Sequence, residues 1–260
     1  MFVAGYGHFV RTARALQWQE ESLALGEDRA AWPGLAEERR RALRTLLAGF
    51  CLGEACVADE LRPFAAAAPD REAAACFRLQ AGDEARHARF FDRYVSEVLA
   101  VGGATAAERR AELRAEAGPD FLGLFEQRLS ATARRLAEDA STLEAAVALY
   151  HLVLEGVVFT AGQLALLELL EDDSLPGLRR GLDLVLRDER WHVGFGASVL
   201  SAAGGGVEAD ALDAAEDAVG VWGDAVPRHL RERVLHLHHR RLRAAGLSSA
   251  ARGAAVTAPR

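Results

Sequence analysis

One pattern, written twice, limits this chain most: a lone glutamate in an apolar helical stretch, then Glu-x-x-His about one long helix further on. The first copy is Glu54 followed by Glu84-Ala85-Arg86-His87, and the second is Glu155 followed by Glu189-Arg190-Trp191-His192. Residues three apart share a helix face, so each Glu-x-x-His aims a carboxylate and an imidazole at one point. The separations of 30 and 34 residues let four antiparallel helices joined by short turns bring all six residues to similar heights. Glu155 lies within Leu152-Val153-Leu154-Glu155-Gly156-Val157-Val158-Phe159, where an unpaired carboxylate would cost several kcal/mol. A cation is the simplest compensation. Four carboxylates with two imidazoles form a hard, oxygen-rich donor set that suits iron or manganese better than a thiol-seeking metal.

Elsewhere the chain reads as helix throughout. Leu43, Leu46, Leu47, Phe50 and Val57 give the apolar stripe of a helix over about residues 37–64. Pro69-Asp70 opens the next, over about 70–100, and Gly102-Gly103 stops it. Shorter helices are expected over 106–117 and 120–139. Ser141 with Glu144 reads as a capping box for a very apolar helix ending near residue 170. Pro176 stands in the first turn of the last core helix, which runs to about 203 before Gly204-Gly205-Gly206. Two amphipathic helices follow, over 207–223 and 227–245. The stretch through Trp18 and Trp32 to Pro33 reads as a short helix and an irregular arm wrapping the body. The expected architecture is all-α: one domain over residues 1–247 with core helices over about 37–203, and a mobile tail over 248–260.

Composition removes several alternatives. A net charge of −7 and a pI near 5.7 leave no basic footprint for nucleic acid or an anionic membrane. No stretch reads as an uncharged apolar run of about 18 residues, so no membrane span is expected. The chain holds three cysteines, Cys51, Cys56 and Cys76; their odd number and lack of metal-finger spacing fit buried thiols in a reducing cytoplasm. The histidines at 229, 236, 238 and 239 match no carboxylate pattern and read as surface, as do Arg240 and Arg241. Tyr150, His151 and Gln163 read as packing residues of the Glu155 helix.

Gln80-Ala81-Gly82-Asp83-Glu84-Ala85-Arg86-His87 through Phe91, Leu154-Glu155-Gly156, Leu175-Pro176-Gly177 and Arg187-Asp188-Glu189-Arg190-Trp191-His192 together resemble the ribonucleotide reductase small-subunit superfamily over roughly residues 16–200. That resemblance implies a ferritin-like four-helix bundle with flanking helices. Within the superfamily the chain is most similar to the ligand-binding oxidases. Likeness to them implies a cofactor of manganese plus iron, or of two iron ions, with dioxygen as the oxidant. It also implies a long-chain fatty acid or similar apolar ligand, a homodimer and an electron donor that the sequence does not name. Val57 and Tyr150 stand where those oxidases join a valine to a tyrosine by an ether bond. Phe91 occupies the position of the tyrosine that would carry a reductase radical. Trp18, Asp188 and His87 match the residue types of the superfamily's electron relay, and Val185 replaces the extra histidine of the arylamine N-oxygenases.

These features imply a dioxygen-activating oxidase that removes two electrons from a bound hydrophobic ligand. Two other readings compete with it. One is a metal-only reductase small subunit passing an oxidising equivalent through Trp18 to a catalytic partner; the segment after Ser248 contains no tyrosine or tryptophan to continue such a relay. The other is a non-enzymatic iron-binding bundle.

Overall fold

The computed structural model describes residues 5–204 and 209–247, and among them every regular element is helical. The tail expected to be mobile lies outside the described residues. In chain order the α-helices are α1 (Tyr6–Ala15), α2 (Gly26–Ala31), α3 (Glu37–Glu60), α4 (Arg62–Ala67), α5 (Arg71–Glu97), α6 (Ala106–Leu113), α7 (Pro119–Leu122), α8 (Ser130–Glu138), α9 (Leu143–Val147), α10 (Thr160–Leu169), α11 (Pro176–Ala202), α12 (Ala209–Ala218) and α13 (Arg228–Ala245). Two stretches between them are π-helical, Gly123–Leu129 and Ala148–Phe159.

Four long elements make the ferritin-like bundle: α3, α5, the continuous α9–π–α10 rod, and α11. α3 packs on α5 and α10, and α11 packs on α5 and the second π stretch. α1 crosses α5 and α11, while α13 lies over α10 and the same π stretch. Buried aromatic and aliphatic side chains fill the interior, with Phe50, Phe77, Phe90, Phe91, Phe125 and Phe159 all fully enclosed.

Three local expectations are corrected. The first core helix does not run unbroken to residue 64: it stops at Glu60, and α4 restarts with Pro63 in its first turn, where the missing proline N–H costs nothing. Ser141 does not cap the apolar rod. Asp139 turns the chain there by accepting from the Ser141 N–H at 2.9 Å, and no side chain caps α9. The rod is also not α-helical throughout, since its middle widens into the twelve-residue π stretch that carries Glu155. Asp70 does cap α5, accepting from the Ala73 N–H at 2.8 Å.

The start of α11 is capped from a distance. Asp28, fully buried on α2, accepts from the Gly177 and Leu178 N–H groups at 2.8 Å each and from the Tyr94 hydroxyl at 2.9 Å. A carboxylate at a helix N-terminus satisfies orphan donors and meets the positive end of the dipole. This contact ties the N-terminal arm to α5 and α11, the two helices bearing Glu-x-x-His.

The rod Ala140–Leu169 is long and apolar enough by composition to cross a membrane, with a mean hydropathy of 1.7 over an 18-residue window. In the fold, 78% of that window is buried within the protein, as befits the central helix of a bundle.

Candidate metal centre

The structure brings the six side chains together. Glu54 comes from α3, Glu84 and His87 from α5, Glu155 from the π stretch, and Glu189 and His192 from α11. Their donor atoms form two groups. Glu54, Glu84, His87 and Glu189 make one, and Glu84, Glu155 and His192 the other; within each, one atom per residue lies within 4.8 Å of all the rest. Glu84 belongs to both, with Oε2 at 3.3 Å from His87 Nδ1 and Oε1 at 3.0 Å from His192 Nδ1. Glu189 also spans the pair, at 3.9 Å from His87 Nδ1 and 3.8 Å from His192 Nδ1. Glu54 sits at 3.6 Å on the His87 side and Glu155 at 3.4 Å on the His192 side. The two Glu-x-x-His motifs therefore supply the shared carboxylates, and the two lone glutamates supply the outer ones.

A donor set should be judged by what its atoms lack. Both oxygens of Glu54 and of Glu189, Oε2 of Glu84 and of Glu155, and Nδ1 of both histidines are buried without a hydrogen-bond partner. Leaving so many polar atoms dry and unpaired is unfavourable unless a cation satisfies them. Two divalent cations would balance the charge of the four carboxylates. The residues fit a dinuclear centre.

Electrostatics agree. Burial pushes the carboxyls of Glu54 and Glu189 above the usual range and that of Glu155 to about 8, despite histidine neighbours. Burial opposes ionisation of Glu84 too, but His192 and His87 outweigh it and hold that group well below normal. Burial lowers both imidazoles, and their acidic neighbours more than reverse it, carrying both well above their normal range. Without metal, the pocket retains protons that a cation would displace.

A second layer fixes the histidines. His87 Nε2 donates to Asp188 at 3.2 Å, and His192 Nε2 faces Asp83 Oδ2 at 3.4 Å. Each aspartate precedes one Glu-x-x-His motif and holds the other motif's histidine, turning Nδ1 of each ring into the site. Arg86, 5% exposed, joins the aspartates, donating to Asp83 at 2.5 Å and Asp188 at 3.0 Å. Trp18 Nε1 donates to Asp188 at 2.7 Å, and the Trp18 ring lies 5.0 Å from the Arg86 guanidinium. Asp83 and Arg86 were missed from the sequence, although Asp-Glu-x-x-His occurs at both motifs and the repeat was a usable signal. Asp188→Asn should weaken the metal on the His87 side about 10- to 100-fold while sparing the other, and Asp83→Asn should do the reverse. Two-site metal titration checks this; equal loss at both positions in either variant would contradict it.

Tyr150 is fully buried and donates its hydroxyl to Glu84 Oε1 at 2.7 Å. The π stretch explains how it reaches the site. Residues five apart lie about 140° apart around an α-helix, but i→i+5 bonding brings them to one face. Tyr150 and Glu155 can thus share Gln80, whose Nε2 donates to the phenol at 3.1 Å and to Glu155 Oε1 at 2.7 Å. Val57, one turn beyond Glu54, is fully buried. Phe91 is fully buried and stacks on Phe50 with ring centres 5.0 Å apart.

Two surface expectations are corrected. His238 is 2% exposed, and its Nδ1 would sit 3.4 Å from a Cβ on Gly156; burial pushes its pKa down to about 4. Arg241 is half-buried and donates to the Gly156 carbonyl at 3.2 Å and to Thr160 Oγ1 at 3.3 Å. Both residues anchor α13 to the π stretch. His229 is exposed, 2.9 Å from Glu168, and His236 and His239 are exposed as expected.

The R2-like ligand-binding oxidase from Sulfolobus acidocaldarius is similar at 20% identity, over 94% of this chain and 92% of that chain, with a TM-score of 0.77. A glycine-to-phenylalanine mutant of an R2-like ligand-binding oxidase, with an anaerobically reconstituted Mn/Fe cofactor, is 20% identical over 94% of each chain with a TM-score of 0.78. A tyrosine-to-phenylalanine mutant, with an aerobically reconstituted Mn/Fe cofactor, gives 20%, 94% of each chain and 0.76. At such identities these likenesses establish the fold. The family model for the ribonucleotide reductase small chain matches residues 6–209, a span that contains all six converging residues and both aspartates, so the chain belongs to the ribonucleotide reductase small-chain family.

Proposed function

We propose that the protein is an oxygen-dependent oxidoreductase in which Glu54, Glu84, His87, Glu155, Glu189 and His192 hold two metal ions, manganese plus iron or two iron. The observation that carries this reading is the cluster of buried donor atoms without partners on four different helices. When bound, the reduced metal pair supplies the electrons that activate dioxygen for a two-electron oxidation. The chain's own residues do the rest. Glu84 and Glu189 span the two positions, Asp83 and Asp188 orient the imidazoles, and the closed core excludes water that would quench an oxidant. The Mn/Fe cofactors of the R2-like ligand-binding oxidases support the choice of metals.

The proposal extends to a self-oxidation and to a ligand. In the first, the Tyr150 oxygen bonds to Val57 Cβ. The phenol O–H and valine C–H bonds break, and both hydrogens with their electrons pass to dioxygen. Protein loaded anaerobically with manganese and iron, then exposed to oxygen and digested, should give one joined peptide pair lighter by two hydrogens, absent in Tyr150→Phe. Separate peptides after oxygen uptake would reject the crosslink, and failure to consume oxygen would reject the oxidase.

The ligand proposed is a long-chain fatty acid or similar apolar acid, with its carboxylate at the metal pair. Val157, Val158 and Phe159 are fully buried. The Phe159 ring lies between Phe50 at 5.6 Å and Phe125 at 5.1 Å, and a Cβ on Gly53 would fall 2.8 Å from it. The path proposed for the acyl chain takes the space that the Phe159 ring fills. Phe159→Ala should therefore raise retention of a long-chain fatty acid in native mass spectrometry, while costing about 3–5 kcal/mol of stability. Equal retention by both proteins would remove Phe159 from the path.

The free thiols support a reducing cytoplasm. We further propose one domain over residues 1–247, a homodimer, and a separate electron donor. A metal-only reductase subunit is the second reading. The hydrogen-bonded line Trp18–Asp188–His87 favours it, and a strict requirement for a partner protein during turnover would establish it over the first.

A further inference from the structure

Gln80 lies one turn before Glu84 on α5 and is fully buried. Three groups converge on its amide. Its Nε2 approaches Glu155 Oε1 at 2.7 Å and the Tyr150 hydroxyl at 3.1 Å, and its Oε1 lies 3.1 Å from His151 Nε2. The directions of these bonds are fixed by chemistry. A metal-bound carboxylate oxygen only accepts, so the amide must present its nitrogen to Glu155 and its oxygen to His151. His151 must then carry its proton on Nε2. With one amide hydrogen given to Glu155, the other is left for the phenol oxygen, which accepts it. The phenol's single proton then points to Glu84 Oε1, 2.7 Å away.

The far end of this line is itself held. His151 is fully buried, and its ring packs against Phe77 and Phe195 at 6.0 and 5.8 Å. It also presses on α11 so closely that a Cβ on Gly196 would fall 2.2 Å from its Cγ. Gly196 stands one turn beyond His192. Burial keeps the imidazole neutral, with its pKa lowered to about 3, in keeping with the single donor the geometry demands.

We propose that Gln80, held by His151, is a positioning residue that orients the Tyr150 hydroxyl toward Glu84 while holding Glu155 in place. The one-way line His151 → Gln80 → Tyr150 → Glu84 makes Glu84 the partner of the phenol proton. It also couples the tyrosine to both metal positions, since Glu84 spans them. This rests on the reading of Glu84 and Glu155 as metal ligands.

The test uses the full chain loaded with zinc, which is diamagnetic and needs no oxygen. The chain has only three tyrosines, Tyr6, Tyr94 and Tyr150, so ¹³Cζ-tyrosine labelling gives three resonances, and Tyr150→Phe assigns the one at the site. Gln80→Leu should shift the Tyr150 signal while zinc content and the other two signals hold. His151→Phe keeps an aromatic ring but removes the donor, and should move the same signal in the same direction; it covers the case in which Gln80→Leu does not fold. A Tyr150 resonance unmoved in a folded, zinc-loaded variant would overturn the positioning role. Failure of the wild type to take up zinc would instead reject the metal reading on which it rests.

Discussion

Stripped of metal, the protein should lose stability as pH rises from about 5 to about 8, and the gap between metal-loaded and metal-free protein should widen over that range. Glu155 titrates at about 8 in the fold against 4.5 in the open chain. Between those values the native state holds a proton that the unfolded state has released. Stability falls with pH wherever the native state binds more protons, so this group's contribution is full below about 4.5 and is lost as pH climbs through 8. Glu54 and Glu189 are raised for the same reason, burial. His87 and His192 are also raised, so they add to the slope above their ordinary range. Glu84 is lowered and works the other way, but only below its ordinary range. Metal replaces these protons and removes the penalty. With free metal at about 1,000 times its dissociation constant, each site adds about 4 kcal/mol, so two sites should raise Tm by on the order of 15–30 °C. Melting curves at pH 5, 6, 7 and 8 with and without metal measure both effects. A metal-free curve that strengthens with pH would show that the carboxyls are not buried together.

What the sequence disclosed follows from what periodicity can carry. Glu54, Glu84, His87, Glu155, Glu189 and His192 were legible because three-residue spacing defines a helix face and because Glu155 stood exposed as a misfit in an apolar run. The bundle was legible from the same stripe pattern, with Asp70 marking one start correctly. Other features depend on contacts between residues far apart in the chain. Asp28 caps α11 across about 150 positions, and no local pattern marks it. Arg86 looks like any helical arginine until the fold sets Asp83 and Asp188 on either side of it. The widening of the rod into a π-helix leaves no composition signal, yet it brings Tyr150 and Glu155 to the same amide. His238 and Arg241 read as solvent-facing because α13 is rich in charge, and only its packing on Gly156 shows which of its faces turns inward. Pro63 was a legible helix boundary that the apolar stripe overrode.

The sharpest functional contrast lies between two glutamates of equal burial. Glu54→Ala should release the metal on the His87 side and keep the other, whereas Glu84→Ala should release both. The reason is geometric: Glu54 belongs to one donor group, and Glu84 belongs to both, within 3.3 Å of one histidine and 3.0 Å of the other. Losing an outer carboxylate leaves that position with His87, Glu84 and Glu189, and leaves the His192 position intact. Losing the shared carboxylate removes one negative charge from the space between two cations, where it screens their repulsion, and takes a ligand from each. Deleting one member of a buried charged cluster typically costs about 3–5 kcal/mol, which at about 1.4 kcal/mol per tenfold is about two to three and a half orders of magnitude in metal binding, shared between the two positions. Glu84→Gln separates charge from volume. It keeps an oxygen for the Tyr150 hydroxyl but cannot bridge two cations with two anionic oxygens, so it should behave like the alanine variant for metal content and like the wild type for folding. Metal analysis after dialysis against a weak chelator gives the stoichiometry, with circular dichroism as the check on fold. If Glu84→Ala keeps one ion bound as firmly as the wild type does, Glu84 serves a single metal and Glu189 alone spans the pair.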